Sequence, residues 1–263
     1  VFLRAVLGMV LQRYLASFPS IFLGVSLVLL PLPLLLLPGS LCTDQLFHPQ
    51  LSFFNGQREV MVADFSGCDS IESMAVKVLS EAPSEFALAG LSMGGIVAIE
   101  MFRQAPNRIK KIALLDTSPR AEPAEEKVMR RQQIKSITQG GIESLKLLVS
   151  QELLPKYGFE SEQLLRLEPM VMKMAQDTGV DEFINQWQAL SNRTDSWSTL
   201  KSIRCPMLIL CGMHDKLCNE KCHRDMAGYV NHSRLEIIEA AGHLSTLDAP
   251  EQVNRALDKW LHS

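Results

Sequence analysis

The stretch FALAGLSMGGIVAIEMF, residues 86–102, decides the fold. Its first six residues form a short apolar run of buried-strand composition, and from Met93 onward apolar residues resume at helical spacing. Between the two, Ser92 stands in a G-x-S-x-G pattern with Gly90 and Gly94 as its small neighbours. A chain that ends a strand at Leu91 and starts a helix at Met93 must turn sharply at the serine. Such a turn strains the serine backbone and needs small residues on both sides. It also lifts the hydroxyl clear of the carboxyl edge of a sheet, above a helix N-terminus that favours developing negative charge. The competing reading is a glycine-rich turn with an incidental serine.

Outward from this turn, short apolar runs alternate with helical patterns, which predicts an α/β fold with a mainly parallel sheet flanked by helices. Strands are expected at 34–37, 59–65, 86–91, 111–117, 206–212 and 234–240, and helices at about 70–81, 93–104, 219–229 and 250–261. From Arg120 to Ile203 the rhythm changes. EEKVMRRQQIKSI, GIESLKLLVSQELL and VDEFINQWQALS repeat apolar residues at helical spacing with no convincing strand, so 120–203 reads as a helical insertion between two strands.

A serine hydroxyl is a poor nucleophile until a base takes its proton, so the turn at Ser92 predicts a histidine and a carboxylate to hold it. LILCGMHDKLC places Asp215 just past one strand, and IIEAAGHLSTLDAPEQV places His243 just past the next. Residues leaving neighbouring parallel strands at their carboxyl ends meet over one edge of the sheet. Asp116, after KIALLD, is the rival acid or a residue that braces the site. His214 adjoins Asp215, His48 follows the first strand, and His223, His232 and His262 lie in polar surroundings typical of surface histidines. An oxyanion formed at Ser92 needs two backbone N–H donors: Met93, and one from the Pro-Gly turn after LLLL, where Ser40 is expected ahead of Leu41.

The 263 residues are 47% apolar with a net charge of −3, so the chain can bury a sizeable core and offers no basic field for nucleic acid. A small-molecule partner is expected instead. Six cysteines, Cys42, Cys68, Cys205, Cys211, Cys218 and Cys222, form no C-x-x-C pair and suit a reduced, cytoplasmic protein. In HDKLCNEKCH the residues Cys218, Cys222 and His223 are either a zinc set or ordinary thiols and a surface histidine. No charge occurs from Tyr14 to Thr43. Residues 1–31 therefore read as an apolar extension: a signal or membrane anchor that would export or tether the protein, N-terminal strands, or a loose segment. Pro31 and Pro33 interrupt the run before one helix could span a bilayer.

LLLLPGS, AGLSMGG, LLDTSPR, LCGMHD and AGHLSTLDAPEQVNRAL, in this order and spacing, resemble the α/β-hydrolase fold family over nearly all of residues 32–263. The nearest groups are small bacterial carboxylesterase-like members, including pimeloyl-carrier-protein methyl esterases and 3-oxoadipate enol-lactonases. The resemblance implies Ser92 as nucleophile, Asp215 as acid, His243 as base, and Ser40 with Met93 as the oxyanion hole. It implies a core of 32–119 and 204–263 under a helical lid of 120–203, with Leu41, Phe183 and Trp187 against the substrate, or with Phe183 and Trp187 only packing the lid helices onto the core. The activity expected is cofactor-independent hydrolysis of a small or medium carboxylic ester or lactone. Enol-lactone or C–C bond hydrolysis on the same residues, and a non-catalytic protein that binds a hydrophobic ligand, are the alternatives. The sequence departs from the family's pattern in two places. Pro38-Gly39 replaces the more usual His-Gly, and no early antiparallel strands are recognisable in residues 1–31.

Overall fold

A computed structural model describes residues 31–263; the expectations for 1–30, including the apolar extension, lie outside the described residues. Six strands form one sheet: β1 Leu34–Leu37, β2 Val60–Val62, β3 Phe86–Leu91, β4 Ile109–Leu115, β5 Met207–Gly212 and β6 Ser233–Ile238. Their spatial order is β2-β1-β3-β4-β5-β6, and every neighbouring pair is parallel. The reversal of direction on either side of β1 and β3 makes this the switch point of the sheet, where open α/β folds bind ligands at the carboxyl ends of their strands.

Alternate strand residues feed two cores. Leu34, Leu36, Ala87, Ala89 and Leu208 belong to one, and Leu35, Leu37, Phe86, Leu88 and Ile209 to the other. This is the period-2 geometry of a strand buried on both faces. Helices α1 (His48–Phe54) and α10 (Pro250–Leu261) contribute Phe54, Val253, Leu257 and Trp260 to the first core. Helices α2 (Ile71–Glu81), α3 (Met93–Gln104) and α8 (Glu220–Tyr229) contribute Met74, Val97 and Met226 to the second. Local sequence starts these helices well. Ser70 and Ser73 form a reciprocal capping box on α2, and the Asn219 side chain accepts the Cys222 N–H at 3.1 Å on α8.

Between β4 and β5 the chain is helical: α4 Ala124–Leu148, a π turn Val149–Leu153, α5 Leu154–Tyr157, α6 Ser161–Asn192 and α7 Trp197–Ser202. Gly141 and Gly179, at φ 60° and 79°, bend α4 and α6 where a residue with a Cβ would be strained. The short α9 (Ser245–Asp248) follows β6. Several strand ends differ from expectation, those of β2, β4 and β6 by two residues or more. β2 is only three residues long, and β4 stops at Leu115 because Asp116 turns to φ 46°. Among the described residues, no helix is long and apolar enough to cross a membrane.

Candidate active site

Ser92 is the residue between β3 and α3, held at φ 55° and ψ −118°. That region is open almost only to glycine, so the surrounding structure imposes it. Its N–H donates to Leu115 O at 2.9 Å and its carbonyl accepts from Thr117 Oγ1 at 2.6 Å. The flanking glycines are steric necessities. A Cβ on Gly90 would lie 2.2 Å from Gly94 O, and one on Gly94 would lie 2.1 Å from Leu37 O.

From this position Ser92 Oγ lies 2.9 Å from His243 Nε2, and His243 Nδ1 lies 2.8 Å from Asp215 Oδ2. A carboxylate can only accept, so Nδ1 carries the proton and Nε2 is left to accept from the serine hydroxyl. The other Asp215 oxygen accepts the N–H groups of Leu217 and Cys218 at 2.7 and 2.9 Å, which fixes the carboxylate in the turn after β5. Burial disfavours both charges, yet each partner favours the charge of the other. The Asp215 pKa is held below the ordinary carboxylate value, and that of His243 is raised above the ordinary imidazole value.

Asp116 makes no hydrogen bond to His243. It is fully buried behind the site and accepts from the Gly212 N–H at 2.8 Å and from the Ser245 hydroxyl. Burial, then the nearby Asp215 charge, pushes its pKa up to about 8. It braces the turns that carry Asp215 and His243. His48, His214, His232 and His262 are exposed. His223 corrects the expectation of a surface residue: it is fully buried on the inner side of α8, where Nε2 accepts the Thr117 N–H at 3.0 Å and Nδ1 faces Asn219 O. Nor do Cys218, Cys222 and His223 form one ligand set. Among the described residues, the group whose ligand atoms converge, within 4.8 Å of one another, is Asp215, Cys218 and His243, two of which already hold each other.

A cavity of about 280 Å³ opens over Ser92. Ser40, Met93, Tyr157, Trp187, Leu190 and His243 are on its wall. The backbone N–H groups of Met93 and Ser40 have no acceptor among the described residues. Leu41 is not equivalent to Ser40. It takes φ 57° and donates its N–H to Gln186 Oε1 at 2.8 Å. Two pocket expectations are corrected here. Leu41 and Phe183 are in the core and off the cavity wall. Phe183 lies behind Trp187, ring centroids 4.3 Å apart, because α6 turns its 183 side inward to the core while the Trp187 indole reaches the cavity and Gln133 Oε1 at 2.7 Å.

The sequence reading missed Tyr157. Its carbonyl accepts the His243 N–H at 2.6 Å, and its ring stacks on the imidazole with centroids 5.5 Å apart. It also missed Asp248, which accepts the Gly242 N–H at 2.7 Å. The Gly158 that ends α5 at φ 79° was the one available signal for Tyr157.

A family model described as alpha/beta hydrolase fold matches residues 82–250. The chain is similar to an (E)-2-((N-methylformamido)methylene)succinate hydrolase of Acinetobacter baylyi, 24% identical over 249 residues that cover 88% of this chain and 90% of that one. Among solved structures, a thermophilic esterase from Thermogutta terrifontis matches with a TM-score of 0.77 at 25% identity, covering 89% of this chain and 90% of the other. The enol-lactonase from Burkholderia xenovorans LB400 shares the fold with a TM-score of 0.77 at 20% identity, over 88% and 92%.

Proposed function

Given that the chain belongs to the alpha/beta hydrolase fold family, we propose that it is a serine hydrolase that cleaves a small or medium carboxylic ester through an acyl-enzyme. The observation that carries this reading is the hydrogen-bonded row Asp215, His243, Ser92, open to a cavity at its serine end. In this mechanism Ser92 Oγ attacks the ester carbonyl as His243 Nε2 takes its proton. His243 then returns the proton to the departing alkoxide, and a water activated the same way frees the acid. Asp215 keeps the imidazole in the tautomer that can accept and stabilises the imidazolium.

The unpaired N–H groups of Met93 and Ser40 suit the tetrahedral oxyanion, where each such donor contributes roughly 10²- to 10³-fold in rate. Replacement of the family's usual histidine by Pro38 removes a side chain and leaves these backbone donors intact. The 120–203 helices serve as the lid: Leu153, Trp187 and Leu190 supply an apolar wall for the acyl or alcohol group. The esterase and hydrolase names of the similar proteins support the reaction class.

Fluorophosphonate labelling tests the reading. Wild-type protein labels at Ser92, Ser92→Ala and His243→Ala do not, and hydrolysis of p-nitrophenyl esters of increasing length sizes the pocket. Folded wild-type protein that fails to label overturns the proposal and leaves a binding protein as the better reading.

A further inference from the structure

The cavity over Ser92 carries charge that ester hydrolysis does not require. Arg130 of α4 and Arg193, just past α6, both line it, and only 16% and 10% of their side chains are exposed. A guanidinium cannot escape burial by losing its proton at neutral pH. Burial lowers both pKa values, that of Arg130 to about 10, and both groups stay charged. One internal carboxylate meets these two cations. Glu122, whose side chain is fully buried, accepts from Arg130 Nε at 2.6 Å and pairs with Arg193 Nη1. One positive charge is left over.

The other charged residues of the wall do not cancel it. Arg120 pairs with Asp225 at 3.2 Å on the exposed side. Glu126, one turn before Arg130, is exposed and acts on it only as a charge at a distance, through screening solvent. Donors are left over as well. Arg130 commits Nε to Glu122, and its two terminal amino groups have no acceptor among the described residues while its guanidinium lies 5.1 Å from the Trp187 ring centre. Arg193 commits Nε to Arg120 O at 2.8 Å and Nη1 to Leu190 O and Glu122, leaving Nη2. A planar fork of free N–H groups in a confined, cationic space is the chemistry that recognises a carboxylate.

We infer that the substrate is an anionic ester, a half-ester of a dicarboxylic acid, whose free carboxylate sits on the open fork of Arg130 beside Arg193 Nη2. The ester half of this statement rests on the serine-hydrolase reading; the carboxylate half does not. A monoanion matches the single charge left over on the Arg130, Arg193 and Glu122 cluster, whereas a phosphate dianion would give that cluster a net negative charge.

Binding to Ser92→Ala protein, which cannot turn over, isolates the site. Calorimetry compares monoethyl glutarate with its carboxamide counterpart, and the monoethyl esters of succinate and adipate locate the spacing from arginine to serine. The acid binds about tenfold or more tightly than the amide, the size expected of a charge-assisted pair. Arg130→Met abolishes the preference and Arg130→Lys, which keeps charge without the fork, retains only part of it. Glu122→Gln, which frees further positive charge, widens it. A purely structural cluster would instead weaken both ligands alike in every variant. Equal binding of acid and amide, or a preference that survives Arg130→Met, overturns the inference, and if that variant does not fold, Glu122→Gln and the ligand pair still decide it. Fluorophosphonate labelling is read beside this. A labelled protein indifferent to charge overturns the carboxylate site and keeps the hydrolase reading; an unlabelled protein that prefers the acid does the reverse.

Discussion

Tyr157 and His243, 86 positions apart in the chain, are joined twice: the His243 N–H donates to the Tyr157 carbonyl at 2.6 Å, and the two rings stack with 26° between their planes. The base of the proposed row is therefore held by the helical segment between β4 and β5 as well as by its own loop. Removing the ring empties a buried site, so Tyr157→Ala costs about 3 to 5 kcal/mol and lowers kcat/KM by about 10²-fold through misplacement of the imidazole. Tyr157→Phe keeps the ring and the backbone bond, and both melting temperature and rate remain close to wild type. Equal losses in the two variants would assign the effect to the hydroxyl instead.

Gly242 tests the same junction from the other side. A Cβ there would lie 1.9 Å from Tyr157 O, the acceptor of the His243 N–H. Backbone cannot yield as a side chain does, so Gly242→Ala destabilises by about 1 to 3 kcal/mol and costs more activity than stability. Thermal melts and ester hydrolysis on the same sample separate the two.

Strain at Ser92 gives a prediction of opposite sign for stability and rate. Ser92→Ala and Ser92→Gly both lose activity, by on the order of 10⁴-fold or more. Glycine, however, relieves a backbone held at φ 55° and ψ −118°, so Ser92→Gly is more stable than Ser92→Ala by about 1 kcal/mol, net of its larger unfolded-state entropy. Denaturant midpoints of the two variants decide it.

Asp215 and Asp116 separate cleanly by amide substitution. Asp116 sits fully buried, makes no hydrogen bond to His243 and does not line the cavity, so Asn replaces it nearly isosterically and kcat/KM stays within about threefold. Asp215→Asn leaves the imidazole without its partner and its tautomer unfixed, a loss on the order of 10⁴-fold. A collapse in Asp116→Asn would return it to the role of acid.

Activity and stability depend on pH in opposite directions around neutrality. Burial opposes protonation of His243, but the Asp215 charge and hydrogen bond, with Asp116 behind, outweigh it and raise the pKa above 6.5. Catalysis needs the neutral ring, so kcat/KM falls on acidification with a midpoint above 6.5. The folded state binds this proton more tightly than the unfolded chain does. Its stabilising contribution is therefore full below the unfolded value of about 6.5 and is lost as pH rises through the folded one. Asp116, raised to about 8, adds loss in the same direction. Melting temperatures that rose with pH across this window would contradict the assignment.

What the sequence determined by itself is the part governed by short-range rules. Alternating apolar runs predict β1, β3 and β5 almost to the residue, and only Ser92 between Gly90 and Gly94 satisfies a strand-to-helix turn whose backbone admits no Cβ on either side. Asp215 and His243 were legible for the same reason, since each follows a strand and the parallel order carries those ends to one edge. Tertiary structure alone decided the rest. Helical spacing in α6 marks Phe183 and Trp187 as one apolar face, but whether such a face meets core or cavity depends on what packs against it: Phe183 meets the core alone, and Trp187 meets both core and cavity. His223 reads as a polar surface residue until α8 turns it toward Thr117. Arg130, Glu122 and Arg193 are ordinary surface letters in a charged helical stretch, and become a buried cluster only because α4 and the end of α6 close over the same cavity. Pairings of this kind join residues far apart in sequence, where local periodicity carries no information and only the packing of whole elements does.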